Sequence, residues 1–198
     1  GKNTMNKKMS EESVLLKENN VDMKRMCTYK TFAIGFSYPD DSFFSFFQDL
    51  SLEKEKVVLE YDRLFRVDEI WLYGTEYLAK NEFQKSNYLS DIMGFYKAFG
   101  LETNNDRPDS VSSELEFMYY LIFKKLYADE NKNNSGTLEK AKICFDAQKK
   151  FFAEHLYPAV KKVAEIIISK TDSSFYKKLS KEILNFLEEE KESLKIKI

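Results

Sequence analysis

Glycine, proline, cysteine and histidine are all scarce in this sequence, which has 6, 3, 2 and 1 of them among 198 residues. An all-β chain needs many tight turns, and glycine and proline supply most of them. Hydrophobic residues make up 43% and aromatic residues 15% of the chain, so a chain disordered throughout is also excluded. We therefore expect an all-α fold, a single-domain helical bundle of about eight to ten helices.

The residues that most often carry metal or redox chemistry are isolated. Cys27 and Cys144 lie in no CxxC pattern, so we expect two unpaired, buried thiols in a reducing cytoplasm. The single histidine, His155, has no sequence partner for a triad or a ligand set, and we interpret it as a partly buried helix residue. No GxGxxG, P-loop or paired Glu-x-x-His motif occurs. The sequence thus predicts no cofactor, no metal and no catalytic residue.

Charge of one sign is nowhere concentrated, since 31 basic and 33 acidic residues interleave and the net charge is −2. A nucleic-acid binder usually has a concentrated basic face, so no nucleic-acid partner is expected. No apolar run approaches the roughly 18 residues of a spanning helix, so no stable membrane insertion is expected. The start, GKNTMNKKMSEES, lacks the apolar core of a signal peptide and begins with Gly1, as a cloning remnant would. These features predict a soluble cytoplasmic protein.

Helical periodicity and turn residues organise the rest of the chain. Residues 1–10 are predicted to be a disordered or tag-derived tail, 11–190 a single all-helical domain, and 191–198 a charged C-terminal tail. Gly100 is predicted to cap a helix C-terminus. The predicted helices span roughly 10–36, 42–50, 52–66, 86–99, 110–128, 137–156, 158–168 and 173–190.

The stretch RPDSVSSELEFMYY, residues 107–120, carries a strong helix-start signal. Pro108 is tolerated at a helix start, and Asp109 or Ser110 can cap that start by accepting a backbone N–H. Glu114 lies in the first turns, where the helix dipole favours negative charge. The segment predicts an acidic, hydrogen-bonding helix entrance set on an apolar core. An ordinary capped helix without a binding role is the alternative.

A second segment, DEIWLYGTEYLAKNEF at 68–83, is rich in aromatic residues, and its Gly74 interrupts any helix. Large aromatics at 71–77 are too numerous for an idle loop. They either anchor the loop to the core or form a recognition surface, because Trp and Tyr dominate binding hot spots. Just before this segment, Glu60 and Arg63 are three residues apart on a predicted helix and can form an ion pair.

Several of these segments resemble motifs of one family, the TorD/DmsD/NarJ-type redox-enzyme maturation chaperones. Residues 107–118, RPDSVSSELEFM, resemble its PDHxxxELxF motif, and residues 59–65, LEYDRLF, resemble its ExxRLF segment. Residues 71–77, WLYGTEY, lie where the family carries an aromatic, often YxxEY-like stretch. FDAQKKFFAEHLYPAV and SSFYKKLSKEILNFLE match its QxxFxxxHL and FYxxLxxLxxxFL patterns. One departure is Ser110, which replaces the family's histidine and lacks an imidazole's stacking surface and pH response.

The resemblance implies a TorD-like, all-helical cytoplasmic chaperone with no catalysis of its own. Such proteins bind the apo form of a molybdopterin oxidoreductase subunit, often through its twin-arginine signal peptide, until cofactor is loaded. Adjacent guanidinium groups followed by an apolar stretch suit carboxylates beside aromatic rings. The predicted peptide-binding residues are Asp109, Ser110, Glu114, Trp71, Leu72, Tyr73, Tyr77, Glu60, Arg63 and Tyr119. A monomer is expected, or a dimer that exchanges helices about a hinge at 102–107.

Three alternatives stay open at this point. A chaperone of the same family can bind a client that has no twin-arginine signal, as NarJ-type members do with an enzyme that remains on the cytoplasmic side. An all-helical, ligand-sensing transcription regulator would need a basic helix-turn-helix near its N-terminus, where Lys24, Arg25 and Lys30 lie. A helical enzyme would need a deeply buried, paired carboxylate such as Glu60 or Glu114.

Overall fold

Helices make up nearly all the regular structure in the computed structural model of this protein, which describes residues 2–103, 106–131 and 136–197, with side chains at residue 17 and from residue 19 onward. Nine α-helices and no β-strand occur in these ranges, which confirms the all-α prediction. The helices are α1 Lys2–Gly35, α2 Asp41–Phe46, α3 Lys54–Asp62, α4 Thr75–Leu78, α5 Glu82–Ala98, α6 Val111–Glu130, α7 Thr137–Phe151, α8 Tyr157–Lys170 and α9 Ser174–Ser193. A 3-10 turn, Gln48–Leu50, and two π turns, Arg63–Val67 and Phe152–Leu156, complete the regular structure.

Helix α6 is the centre of the bundle. α1 packs along one side of it, α7 along another, and the second π turn also contacts it. A helix enclosed in this way must be apolar on several faces. The buried apolar residues of α6 are Val111, Leu115, Phe117, Met118, Leu121, Ile122, Leu126 and Ala128.

Helices α8 and α9 pack against each other and close the bundle, with α9 also touching α1. Large aromatic side chains fill the space between these layers. The rings of Tyr29 and Phe186 meet edge to face at 4.9 Å, and those of Phe117 and Phe151 at 4.7 Å. Such edge contacts add about 0.5–1.5 kcal/mol each beyond the burial of apolar area.

A buried polar network centred on Arg25 lies inside the same layers. Arg25 donates through Nε and Nη2 to the carboxylate of Glu190, at 2.6 and 2.9 Å. Its remaining donors reach Asp22 at 2.6 Å and Gln148 at 3.0 Å, and Tyr29 donates to Glu190 at 2.7 Å. Burial, followed by the negative charge of Glu190, raises the pKa of Tyr29 well above its usual value, so its phenol stays a donor. The network joins α1 to α9 through a charge pair shielded from water.

Both π turns lie where the periodicity predicts ordinary α-helix. The first follows α3, and the second joins α7 to α8 without a loop. Pro158 lies just beyond the second turn and has no N–H to donate to the carbonyl of Glu154. The extra residue of the π turn falls in this region and lets the helix continue past the proline. The sequence instead predicts one helix that ends at Leu156 and another that starts at Pro158.

Several smaller expectations need correction. α1 begins at Lys2, ahead of the predicted start at residue 10, and Cys27 is exposed although Cys144 is buried. In the predicted C-terminal tail, Leu194 is fully buried against the core. Gly1 and residues 104 and 105 of the predicted hinge lie outside the described residues, so the domain boundaries and the oligomeric state stay predictions. No helix in the described part of the chain is both long and apolar enough to cross a membrane.

Candidate functional site

The aromatic segment and the helix start, separated in sequence, lie directly against each other. An isolated antiparallel bridge pairs Tyr73 with Ser110. Two backbone hydrogen bonds hold it, from Gly74 N–H to the Asp109 carbonyl at 3.1 Å and from Val111 N–H to the Leu72 carbonyl at 2.9 Å. Residues 71–77 and 107–114 therefore form one site at the N-terminus of α6.

Ser110 caps that helix. Its hydroxyl oxygen accepts the backbone N–H of Ser113 at 3.1 Å, and its backbone is extended, as a capping residue requires. Of the two capping residues that the sequence offers, Ser110 takes the role and Asp109 is left for another. The prediction of a capped helix start after Pro108 is thereby confirmed.

Asp109 is buried, with 1% of its surface exposed, and its carboxylate holds the two segments together. Its Oδ2 accepts the backbone N–H of Thr75 at 3.0 Å and the Thr75 hydroxyl at 2.5 Å. Arg107 donates through Nε to Oδ1 at 3.0 Å and through Nη2 to Oδ2 at 2.9 Å. A buried carboxylate needs such partners, and here both oxygens are engaged within the chain.

The guanidinium group of Arg107 is surrounded by complementary groups. Its Nη1 donates to Glu76 at 2.5 Å, its Nη2 also donates to Thr75, and its centre lies 4.3 Å from the Tyr73 ring centroid. Hydrogen bonds from Lys85 and then from Arg107 hold the pKa of Glu76 below its usual range. We call Tyr73, Thr75, Glu76 and Asp109 the guanidinium site.

The residues predicted from sequence include Tyr73 and Asp109 but not Arg107, Thr75 or Glu76. The available signal was the opposite charge of Arg107 and Glu76 in the two candidate segments. That signal has meaning only once the segments are known to pair, and residue spacing does not show tertiary pairing.

Glu114 lies beneath the site rather than on its surface. It is 1% exposed, and its Oε2 has no hydrogen-bond partner among the described residues. Burial, and then the negative charge of Asp109, raises the pKa of Glu114 well above its usual value, which favours the neutral carboxylic acid. Glu114, one of the predicted peptide-binding residues, is therefore a buried side chain, and its contact with a peptide stays a prediction.

We expect the unfolding free energy of Glu114→Gln, relative to that of the wild type, to increase as pH rises. Because the folded-state pKa is raised, the contribution of Glu114 is fully present below its unfolded pKa and is lost as pH rises through the folded pKa. Glutamine is neutral throughout and avoids that loss. Urea unfolding of both proteins from about pH 5 to about pH 8 measures the difference. Glu116→Gln, at an exposed position, is the control, and its difference in unfolding free energy from the wild type should not change with pH. If the difference for Glu114→Gln were also independent of pH, that result would contradict the raised pKa of Glu114.

The large apolar residues at 71–77 divide between the two roles considered from sequence, which are anchoring the loop and forming a recognition surface. Leu72 and Tyr77 are partly buried against the core, and the Tyr77 hydroxyl accepts the backbone N–H of Trp71 at 2.8 Å. Trp71, two residues before Tyr73 of the guanidinium site, is itself 44% exposed. The segment thus both anchors itself and presents one large ring to solvent.

Glu60, Arg63 and Tyr119 stand apart from this arrangement. Arg63 pairs with Glu60 at 2.7 Å, as the spacing predicts, and Thr171 also donates to Glu60. The hydrogen bond from Arg63 is the main cause that lowers the pKa of Glu60. Tyr119 lies on α6 with the ammonium of Lys30 at 5.5 Å from its ring. No ion pair or hydrogen bond among the described residues joins these three to the guanidinium site.

His155 is buried and bonded to a carboxylate. Its Nε2 lies 2.6 Å from Asp91 Oδ2, and the ring packs on Phe151. Within the described residues, the ligand atoms of Asp91, Glu154 and His155 lie within 4.8 Å of one another. Two of the three are exposed, and the bond between His155 and Asp91 accounts for the geometry, so we assign the group a structural role in joining α5 to the second π turn.

A comparison of the sequence with models of known protein families identifies the family of this chain. The family model described as nitrate reductase delta subunit matches residues 40–165, which include both segments of the guanidinium site. The chain belongs to the nitrate reductase delta subunit family. No curated protein matches it. Membership of this NarJ/TorD-type family implies a non-catalytic maturation chaperone for a molybdoenzyme, which agrees with the resemblance and sets aside the helical-enzyme alternative.

Proposed function

We propose that this chaperone binds the twin-arginine signal peptide of an apo molybdopterin oxidoreductase subunit in the cytoplasm and holds the subunit until cofactor is inserted. The observation that carries the proposal is the guanidinium site. Its carboxylates, Asp109 and Glu76, and the Tyr73 ring surround a guanidinium group at the surface. The same groups suit an arginine supplied by a client.

The chemistry of the site selects arginine over lysine. A carboxylate that accepts two parallel N–H bonds recognises the planar fork of a guanidinium, which an ammonium lacks. Stacking on Tyr73 adds a contact to the flat face of the group. Each hydrogen bond to a charged group contributes roughly 1.5–3 kcal/mol where water is excluded. The exposed ring of Trp71 supplies an apolar contact for the residues that follow the arginines.

We expect Asp109→Ala to weaken binding of a peptide with two adjacent arginines by at least tenfold, about 1.4 kcal/mol. The variant removes the carboxylate that any guanidinium in this site must use. Fluorescence anisotropy with a labelled peptide measures the dissociation constant, and circular dichroism confirms that the variant is folded. Glu116→Ala removes an exposed carboxylate elsewhere on α6 and should leave binding unchanged. An unchanged dissociation constant in folded Asp109→Ala would take Asp109 out of the site.

A client without a twin-arginine signal is the second candidate, and Ser110 favours it. The serine hydroxyl is engaged in capping α6, with none of the stacking surface of the family's histidine. A pull-down from native cytoplasm under anaerobic growth, read by mass spectrometry, separates the two candidates. Recovery of a molybdopterin oxidoreductase subunit supports the chaperone role, and its N-terminus shows whether a twin-arginine signal is present.

The positions of the basic residues near the N-terminus do not support the transcription-regulator alternative. Arg25 is buried in the network with Glu190, and Lys30 forms an ion pair with Glu116 at 3.2 Å. Two of the three basic residues that this alternative relies on are therefore engaged within the protein. Within the described ranges only Lys24 of the three is exposed without an ion pair, which is too little for a cationic face.

A further inference from the structure

The guanidinium site is occupied by an arginine of the same chain. Arg107 enters it from two residues before Asp109, and its side chain is 34% exposed, whereas that of Asp109 is 1% exposed. Arg107 thus covers the carboxylate on the side from which a peptide would approach. The arrangement has the components of arginine recognition, namely a two-point carboxylate contact, a second carboxylate and an aromatic face.

We infer that Arg107 is an internal competitor, which occupies the position of a client arginine and is displaced when the client binds. The inference rests on the proposed function and adds a regulating residue to that site.

The limited number of hydrogen bonds that the Asp109 carboxylate can accept supports a competition between Arg107 and a client arginine. A carboxylate has about four lone-pair positions. Asp109 accepts from the Thr75 N–H, the Thr75 hydroxyl, Arg107 Nε and Arg107 Nη2. A second guanidinium therefore forms its two parallel bonds only after Arg107 has given up its own.

The local charge supports the same conclusion. The side chains that bond together here are the cations Arg107 and Lys85 and the anions Glu76 and Asp109. The charges balance, so no excess negative charge attracts another cation while Arg107 is in place. Exchange of one arginine for another preserves that balance, and the buried carboxylate never loses its counter-charge.

Competition of this kind sets specificity. The apparent dissociation constant equals the intrinsic constant divided by the fraction of protein in which Arg107 is out of the site. A lone arginine gains little, since it only replaces an equivalent bond. A peptide gains net affinity from what Arg107 does not supply, namely an adjacent arginine and an apolar stretch beside Trp71.

Removal of the competitor should tighten binding. We expect Arg107→Ala to bind a peptide with adjacent arginines at least tenfold more tightly, because the gain is roughly the inverse of the fraction of wild-type protein in which Arg107 is out of the site. Arg107→Lys should lie between this variant and the wild type, because an ammonium cannot form the two-point contact. The same peptide with both arginines replaced by lysine should gain less from either change.

The test is fluorescence anisotropy with both labelled peptides, and thermal unfolding establishes that each variant is folded. Arg66→Ala is the matched control, since Arg66 also pairs with a carboxylate, Asp62 at 2.8 Å, and faces a ring, Tyr38 at 5.1 Å. In a second measurement, ethylguanidinium, the fragment that Arg107→Ala removes, should raise the melting temperature of Arg107→Ala but not of the double variant with Asp109→Asn.

The outcomes separate this inference from the function on which it rests. Binding of the arginine peptide by the wild type, without a gain in folded Arg107→Ala, would overturn the competition alone and leave Arg107 as a structural clamp. Binding by neither protein would overturn the proposed function and the competition with it. Failure of ethylguanidinium to stabilise folded Arg107→Ala would show that the vacated site has no affinity for a guanidinium, which also overturns the inference.

Discussion

Replacement of Glu190 by alanine is expected to lower the free energy of unfolding by about 3 kcal/mol or more. Glu190 is 1% exposed and accepts two hydrogen bonds from Arg25 and one from Tyr29. Without it, Arg25 stays buried with two of its three hydrogen bonds to carboxylates gone, and the Tyr29 hydroxyl loses its acceptor. Loss of one partner of a buried ion pair costs far more than the intact pair contributes, because the remaining charge is still out of water.

Urea unfolding at neutral pH measures this effect, with Glu189→Ala as the neighbouring control. Glu189 is exposed on the same turn of α9, so its removal should change the unfolding free energy by less than about 0.5 kcal/mol. Equal stabilities for the two variants would show that the Arg25 network is open to water and contributes little.

Addition of one methyl group at Gly74 is expected to destabilise the protein by roughly 1–3 kcal/mol. A Cβ at this position would lie 2.5 Å from the Cβ of Ala159 on α8, a separation that a Cβ essentially never has from a non-bonded atom. The backbone of Gly74 is not the obstacle, because its φ of −61° suits alanine. The cost is therefore steric, and it displaces the loop that carries Tyr73 and Thr75 of the guanidinium site.

Gly94→Ala provides the matched control with the opposite sign. Gly94 is exposed within α5, where an added Cβ has no atom within 4 Å, so alanine should stabilise the helix by roughly 0.5–1 kcal/mol. Thermal unfolding of both variants compares one methyl group in two surroundings. In a double variant with Ala159→Gly, Gly74→Ala should cost less. The same cost in both backgrounds would mean that Ala159 is not the cause.

Local signals account for the parts of the fold that sequence predicts well. The scarcity of glycine and proline indicates a helical fold. Apolar spacing, together with Pro108 and Ser110, places the start of α6 close to Val111, where the structure has it. Gly100 has the positive φ of 74° that its predicted capping role favours. These signals act over a few residues, so one sequence contains them in full.

The remaining features depend on contacts between distant segments. The Phe residues at 43–47 look alike in sequence, yet Phe43 is buried and Phe46 is 45% exposed, because the six-residue helix α2 turns a single face to the core. Charge and position predict Asp109 and Glu114 as site residues, but their burial depends on contacts with the distant segment 71–77, where Thr75 bonds to Asp109 and Gly74 lies against Glu114. Arg107 acquires its role from Glu76 and Tyr73, which the fold alone brings near.

The bond between Arg25 and Glu190 also imposes an order on biosynthesis. Its two partners are 165 positions apart, so Arg25 leaves the ribosome long before Glu190 is synthesised. Until α9 has been made, α1 can dock on α6 only by burying a cation whose remaining carboxylate partner, Asp22, is shared with Lys125. We expect the nascent chain to stay loosely packed and protease-sensitive through most of its translation and to consolidate once α9 emerges. A chain cut short before Glu190 would then be recognised and degraded rather than accumulate as a folded but incomplete chaperone.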